Sequence, residues 1–306
     1  MNPKSSILLT GGSGLLAVNW LYSKNNEYIV YLGLNERKIY PDNCQVIPLN
    51  FFSEESLMKQ IETVGPSVVI HTAGLTSVEK CESNPELAFH INVDLSTMIA
   101  NVTRRLGVRL VHISTDHLFE GNASMLSEEE PRQAINVYGM TKALAETKVE
   151  EINPDALIIR TNFYAWGTSY RKSFSDHIIE SLRNDQCISL FDDVYYTPIL
   201  AGNLINTAHE LLERNASGIY NIVSDDRISK YDFGILIAEE FGLDKSYIQR
   251  GSLRNKSNLV KRPFDMSLSN KKVKDLLGRN LGTVKQHVEQ LYRQEIEVRT
   301  KEIRLL

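Results

Sequence analysis

The chain has 306 residues, 42% of them hydrophobic and 24% charged, which is enough apolar material for a sizeable core and excludes disordered, collagenous and low-complexity architectures. Its 34 basic and 38 acidic side chains leave a formal charge of -4, so no broad attraction for nucleic acid or anionic lipid is expected. In chain order, short apolar runs of strand length and β-branched content fall at Ile7–Thr10, Tyr28–Leu32, Gln45–Leu49, Ser67–Thr72, Arg109–Ser114 and Ala156–Arg160. Between them, Glu54–Thr63 carries Leu57 and Ile61 at helical spacing. Pro85–Leu106 has a proline suited to a first turn and a stop at Gly107. Strand and helix alternating in this way predict a doubly wound parallel sheet, because parallel neighbours need crossover connections.

After about residue 160 the rhythm loosens. Helices are expected at Phe174–Arg183, Gly202–Arg214, Lys230–Phe241 and Val284–Arg293, with no proline- or glycine-rich linker before them and no internal repeat. The expected architecture is an α/β protein in which residues 1–160 bind a dinucleotide. Residues 161–306 form mainly a smaller C-terminal substrate-binding lobe, interleaved with the first and separated from it by a cleft.

Cys44, Cys81 and Cys187 form no CxxC or Cys/His ligand spacing, which argues against a disulfide framework and against zinc. No other residue cluster calls for a metal. The cysteines read as reduced, small hydrophobes of a cytoplasmic protein. The opening Met1–Leu9 segment lacks the longer apolar core of a secretory signal, and no run approaches the roughly 18 apolar residues that span a bilayer.

The first predicted strand runs into Thr10-Gly11-Gly12-Ser13-Gly14-Leu15-Leu16-Ala17. Glycines there let the backbone turn sharply and approach a pyrophosphate, whose charge is met by unpaired amides at the following helix N-terminus. Gly11, Ser13, Gly14 and Leu15 are therefore the first candidate cofactor contacts. After the second strand, Asn35-Glu36-Arg37-Lys38 adds Asn35 to the candidate cofactor contacts and offers Arg37 and Lys38 to a 2′-phosphate, favouring NADP(H). Glu36 on the ribose hydroxyls would suit NAD(H), which stays open.

Tyr138 is followed four positions later by Lys142, a spacing that puts both side chains on one helix face, where an ammonium can lower the pKa of a phenol. Upstream, the fifth predicted strand ends in Ser114-Thr115-Asp116, at the sheet edge where doubly wound folds bind ligands. Thr115 would hold a substrate carbonyl beside Tyr138. Each signal is weak alone, and their order along the chain makes them jointly strong.

Together with His71-Thr72-Ala73-Gly74, Asn92-Val93-Asp94, Ser114-Thr115-Asp116-His117-Leu118-Phe119-Glu120-Gly121, Asn136-Val137-Tyr138-Gly139-Met140-Thr141-Lys142, Arg160-Thr161-Asn162 and Arg262-Pro263-Phe264-Asp265-Met266-Ser267-Leu268, these motifs resemble the extended short-chain dehydrogenase/reductase family. Within it they are similar to the dTDP-4-dehydrorhamnose reductase-like branch, over most of the chain and in family order. The resemblance implies a Rossmann fold, a nucleotide-sugar substrate and catalytic roles for Thr115, Tyr138 and Lys142, with Lys142 also on the nicotinamide ribose. It adds Thr72, Ala73, Gly74 and Asn50 to the cofactor side, although Ala17, His71 and Asn50 depart from the commoner glycine, asparagine and aspartate. Asp116, His117, Asn162, Thr197 and Arg262 are the expected substrate contacts. Phe163, Tyr164, Trp166, Tyr195 and Tyr196 are aromatics able to stack on a base or simply to pack.

The expected reaction is NAD(P)H-dependent reduction of a nucleotide-linked 4-keto-6-deoxy sugar with Tyr138 as proton donor. The related 4,6-dehydratases carry an Asp-Glu pair after the threonine, whereas His117 follows Asp116 here. That disfavours water elimination and leaves 4-epimerase chemistry open. A non-catalytic cofactor-binding subunit, similar to the regulatory β subunit of methionine adenosyltransferase, is the alternative from another class. A homodimer is compatible with this reading. The Glu128-Glu129-Glu130 run is expected to be a solvated face on a flap beside the site.

Overall fold

The structure is a computed structural model that describes residues 4–297 and 300–306. Residues 1–3 of the Met1–Leu9 reading and residues 298–299 of the expected second lobe lie outside the described residues. Seven parallel strands form the main sheet: β1 Ser6–Thr10, β2 Ile29–Leu34, β3 Gln45–Pro48, β4 Val68–His71, β5 Arg109–Ile113, β6 Leu157–Arg160 and β7 Gly218–Asn221. Their spatial order is β7-β6-β5-β4-β1-β2-β3. The inner strands are buried on both faces, with Ile7, Leu8, Leu9, Val69, Ile70, Val111 and Ile159 at 0% exposure, which is why they read as unbroken apolar runs rather than as alternation. β1 pairs with β2 on one side and β4 on the other, Thr10 standing opposite both Gly33 and His71. The strand order therefore reverses at β1, and a crevice opens above the carboxyl ends of β1 and β4.

Six strands sit where the apolar runs predicted them. The seventh, Gly218–Asn221, pairs with Leu157–Arg160 although it comes from the second half of the chain. The Ala201–Glu213 helix also packs its Leu204, Ile205, Ala208 and Leu211 into the same core cluster as β1 and β2. A second cluster gathers Ile178, Ile179, Tyr196, Phe233, Ile237, Val284 and Val288, with Tyr164 and Trp166, around three two-stranded pairings.

The predicted Pro85–Leu106 helix is continuous in path but changes pitch. Pro85–Phe89 and Leu95–Leu106 are α-helical, and His90–Asp94 between them is a π-turn, a feature that often marks functional sites. The turn aims Asn92 back at the Val137–Ile152 helix. Its side chain accepts from the Leu75 amide at 2.8 Å and donates to Thr141 Oγ1 at 3.0 Å.

Two expectations are corrected. Glu128 is not part of a solvated face: its carboxylate accepts from the Asn221 amide at 2.8 Å and its carbonyl accepts from Arg160, because the flap lies over the end of β7. Cys187 is exposed rather than packed, unlike Cys81, which is buried. Among the described residues no helix is long and apolar enough to cross a membrane.

Candidate active site

A cavity of about 720 Å³ occupies the crevice. The turn Gly11–Gly14 forms its floor, and Thr72, Ala73 and Gly74 after β4 and Ser114 to His117 after β5 form its sides. Tyr138, Lys142 and Asn162 close one end. Gly11 adopts φ 65°, and a Cβ there would lie 2.8 Å from Ala73 Cα, so only glycine permits this approach of the two loops. The Leu15–Lys24 helix starts at Gly14 without any side-chain cap, leaving its first amides free at the cavity wall. That is a cradle for a phosphate group, and the residues present fit a dinucleotide.

The predicted cofactor residues divide. Gly11, Ser13, Gly14, Leu15, Arg37, Thr72, Ala73 and Gly74 line the cavity, and Thr72 is fixed by donating to the Thr10 carbonyl at 2.7 Å. Asn35, Lys38 and Asn50 do not line it. The exposed Lys38 ammonium bonds the Asn35 carbonyl at 2.6 Å, and Asn50 Oδ1 accepts from the Phe52 amide at 2.8 Å. One element was missed: Tyr170 reaches across from the second half, donates to the Ser13 carbonyl at 3.0 Å and carries Arg37 over its ring at 4.3 Å. Beside it Arg171 bonds Thr76 Oγ1 at 3.1 Å. Two adjacent polar residues in an irregular stretch leave no periodicity from which this strap is readable.

At the other end, the Val137–Ile152 helix is capped by Asn136, whose Oδ1 accepts from the Gly139 amide at 2.9 Å. Gly139 is the close-approach residue, since a Cβ there would lie 2.2 Å from the His117 carbonyl oxygen. It lets the helix that carries Tyr138 and Lys142 lie directly on the loop that carries Thr115. The Thr115 hydroxyl lies on the Tyr138 side of the cavity, donates to Asp116 Oδ1 at 3.3 Å and accepts from the His117 amide at 3.3 Å. His117 stands edge-on to the Tyr138 ring at 5.4 Å. Burial lowers its pKa to about 3 and so keeps the imidazole neutral, and its buried Nδ1 has no hydrogen-bond partner among the described residues.

Tyr138 is 7% exposed, and burial raises its pKa far above the usual phenol range, with the Thr115 hydrogen bond acting against it and the Asp116 charge reinforcing it. The expected acidification by Lys142 is therefore not what this arrangement displays. The Lys142 ammonium donates to the Ile113 carbonyl at 2.7 Å and lies 3.5 Å from His112 Nε2. Burial lowers its own pKa to about 8, against the pull of Glu146. Behind it, the His112 and His71 rings lie 5.5 Å apart, tilted by 30°, both kept neutral chiefly by burial. His71 bonds Thr10 Oγ1 at 2.7 Å and Ser96 Oγ at 3.1 Å.

Of the predicted substrate residues, Thr115, Asp116, His117 and Asn162 line the cavity together, with Asn162 Nδ2 donating to Asp116 Oδ2 at 2.6 Å. Thr197 is turned inward, accepting from the Leu268 amide at 3.2 Å. Arg262 stands outside the lining, ion-paired to Glu79. Among the aromatics, Phe163 lines the cavity, whereas Tyr164 and Trp166 pack in the second core and Trp166 Nε1 donates to the Leu291 carbonyl at 3.2 Å.

The RmlD substrate binding domain matches residues 5–296 of this chain. The chain belongs to the RmlD substrate binding domain family. Within the RmlD family it is 30% identical over 274 residues to the probable low-salt glycan biosynthesis reductase Agl14 of Haloferax volcanii, covering 88% of this chain and 91% of that one. It is 28% identical over 197 residues to the dTDP-4-dehydrorhamnose reductase of Escherichia coli, covering 62% of this chain and 65% of that one. The fold superimposes on the crystal structure of the Bacillus anthracis dTDP-4-dehydrorhamnose reductase in complex with NADP with a TM-score of 0.85, at 21% identity over 95% of this chain and 99% of that one.

Proposed function

We propose that this chain is an NADP(H)-preferring oxidoreductase that reduces the keto group of a nucleotide-linked 4-keto-6-deoxy sugar. The observation that carries the reading is the convergence of Thr115, Tyr138 and Lys142, from a loop and a helix brought into contact at Gly139, on the cavity floored by the Gly11–Gly14 turn. The names of the E. coli and H. volcanii relatives support the reductase and the sugar class. Arg37 on the cavity wall supports the 2′-phosphate of NADP(H).

The nicotinamide, when bound, supplies the hydride. Tyr138 supplies the proton. A phenol whose pKa is raised by burial stays protonated at neutral pH, so it enters the cycle as the acid that a ketone reduction consumes. Thr115 sits beside that hydroxyl and holds the carbonyl oxygen in line with it. Lys142, with a pKa near 8, is charged at neutral pH, and its ammonium stabilises the phenolate left after proton transfer. Gly11, Ser13, Gly14 and Leu15 hold the pyrophosphate, and Asp116 and Asn162 hold the sugar hydroxyls. Residues 161–306 provide mainly the substrate side of the cleft. The non-catalytic alternative gives no reason for Thr115, Tyr138 and Lys142 to meet at one cavity.

We infer a cytoplasmic enzyme, a reading that the three free cysteines support. Leu87, Phe89, Met140 and Leu144, exposed on the adjoining Pro85–Phe89 and Val137–Ile152 helices, supply an apolar face for a homodimer. Sedimentation should give twice the chain mass, and Phe89→Glu should give monomer. A wild-type monomer would remove the dimer from the account. The function itself is tested by supplying NADPH or NADH with a panel of nucleotide-linked 4-keto sugars and identifying products by NMR. A reduced 6-deoxy sugar, formed faster with NADPH, is expected. Cofactor binding without turnover of any member would overturn the enzyme reading.

A further inference from the structure

The strap that carries Tyr170 spans the mouth of the dinucleotide cavity. Thr168 and Arg171 close a tight turn, with the Thr168 amide donating to the Arg171 carbonyl at 3.0 Å, and Tyr170 sits inside that turn. The turn is firmly anchored. The Gly167 and Ser173 amides both donate to Asp176 Oδ2, at 2.8 and 2.7 Å, and Asp176 belongs to the capping box of the Phe174–Arg183 helix. From this base two side chains reach opposite lips of the cavity. The Tyr170 hydroxyl donates to the Ser13 carbonyl at 3.0 Å, in the Gly11–Gly14 turn, and Arg171 donates to Thr76 Oγ1 at 3.1 Å, in the loop after β4. A ring fixed at its backbone and at its hydroxyl has little freedom left to lose.

Arg37 rests on that ring, its guanidinium carbon 4.3 Å from the centroid, and both residues line the cavity. Among the described residues the Arg37 side chain makes no ion pair and no hydrogen bond. The difference is chemical: a carboxylate partner would occupy the N–H donors, whereas an aromatic face attracts the cation and leaves those donors free. We propose that Tyr170 is a positioning residue for cofactor specificity: its ring holds the Arg37 guanidinium on the cavity wall with its donors available to the 2′-phosphate by which NADP(H) differs from NAD(H). An arginine on an exposed loop loses rotamer freedom when it binds phosphate, and the stack imposes part of that loss beforehand. NAD(H), lacking the phosphate, gains nothing from it. The Tyr170 hydroxyl has a separate task, because its bond to Ser13 ties the strap to the turn that either cofactor must contact.

This role for Tyr170 rests on the NADP(H) preference and not on turnover of a sugar, so binding alone tests it. Dissociation constants of the full chain for NADPH and NADH are measured by nucleotide fluorescence. The readout is their ratio, since a variant that folds poorly weakens both alike. Wild type should favour NADPH. Tyr170→Leu should lower that preference about two- to fivefold, the size of an exposed cation–π contact. Tyr170→Phe, which keeps the ring, should keep the preference while weakening both cofactors together. Arg37→Met should bring the ratio near one, and adding Tyr170→Leu to it should change the ratio no further. A preference that survives Tyr170→Leu but collapses in Arg37→Met overturns the proposal and leaves NADP(H) as the cofactor, and a preference lost equally in Tyr170→Phe overturns it too. A wild-type ratio near one refutes the NADP(H) preference, a ratio untouched by Arg37→Met refutes Arg37 as the partner of the phosphate, and either overturns the role of Tyr170 with it.

Discussion

At the scale of single residues, the same burial that makes Tyr138 a reluctant acid makes Lys142 a reluctant base. The two shifts oppose one another: the phenol is held protonated and the ammonium is brought down to about 8. If the charged lysine is needed to receive the phenolate, kcat/KM should fall as pH rises through about 8, because the free enzyme loses the ammonium there. A flat profile to pH 10 would show that Lys142 does not carry this charge in catalysis. Tyr138, Lys142 and Thr115 were legible in the sequence because four-residue spacing and a strand edge are local properties. Tyr170 was not, because it reaches the cavity from the second half of the chain, where only packing brings it near Ser13.

At the scale of elements, the site depends on how closely one helix can lie on one loop. Gly139, between Tyr138 and Lys142 of the Val137–Ile152 helix, touches the His117 carbonyl with no room for a methyl group. Farther along, the helix is locked to β6 by Glu146, 0% exposed, which accepts from Arg160 at 2.8 Å and also from Arg132 at 2.6 Å. Gly139→Ala must therefore push the Thr115–His117 loop aside rather than move the helix. It should cost about 1–3 kcal/mol of stability from overpacking and lower kcat by more than it raises KM. Crystal structures and kinetics of the variant check this, and wild-type kcat with an unmoved loop would contradict it. The glycine was visible in the motif, but its reason was not, since the contact joins residues 139 and 117 in space. The same limit hid the short strand pairs of the second layer. Phe163–Tyr164 with Ile199–Leu200, and Tyr195–Tyr196 with Ile228–Ser229, are two residues long and give no alternation to read.

At the scale of the whole molecule, the core is built around neutral imidazoles, and this sets its response to acid. Burial lowers His71 and His117 to about 3 and His209 to about 4, and it also lowers His112 and His287. In the unfolded chain each titrates near 6.5, so their contribution is complete above that value and is lost as pH falls below it, at up to about 1.4 kcal/mol per group per pH unit. Asp116, raised to about 6, works in the opposite sense between 6 and its unfolded value, as do Glu128 and Asp176, also raised by burial, three groups against five. Denaturant midpoints should therefore be lower at pH 5.5 than at pH 7.5, and an equal or higher midpoint at pH 5.5 would refute this. The six sheet strands predicted from the first half were legible because burial on both faces makes them continuously apolar. β7 escaped because Gly218-Ile219-Tyr220-Asn221 is a short edge strand recognisable only by its partner, β6.

The central claim is that Tyr138 delivers a proton to a substrate ketone as a nicotinamide delivers hydride. The most direct measurement is the rate of NADPH oxidation with a dTDP-linked 4-keto-6-deoxy sugar, wild type beside Tyr138→Phe. A loss of about 10²–10⁴-fold in kcat, with NADPH affinity retained, is the expected result. Turnover by Tyr138→Phe at the wild-type rate would contradict it.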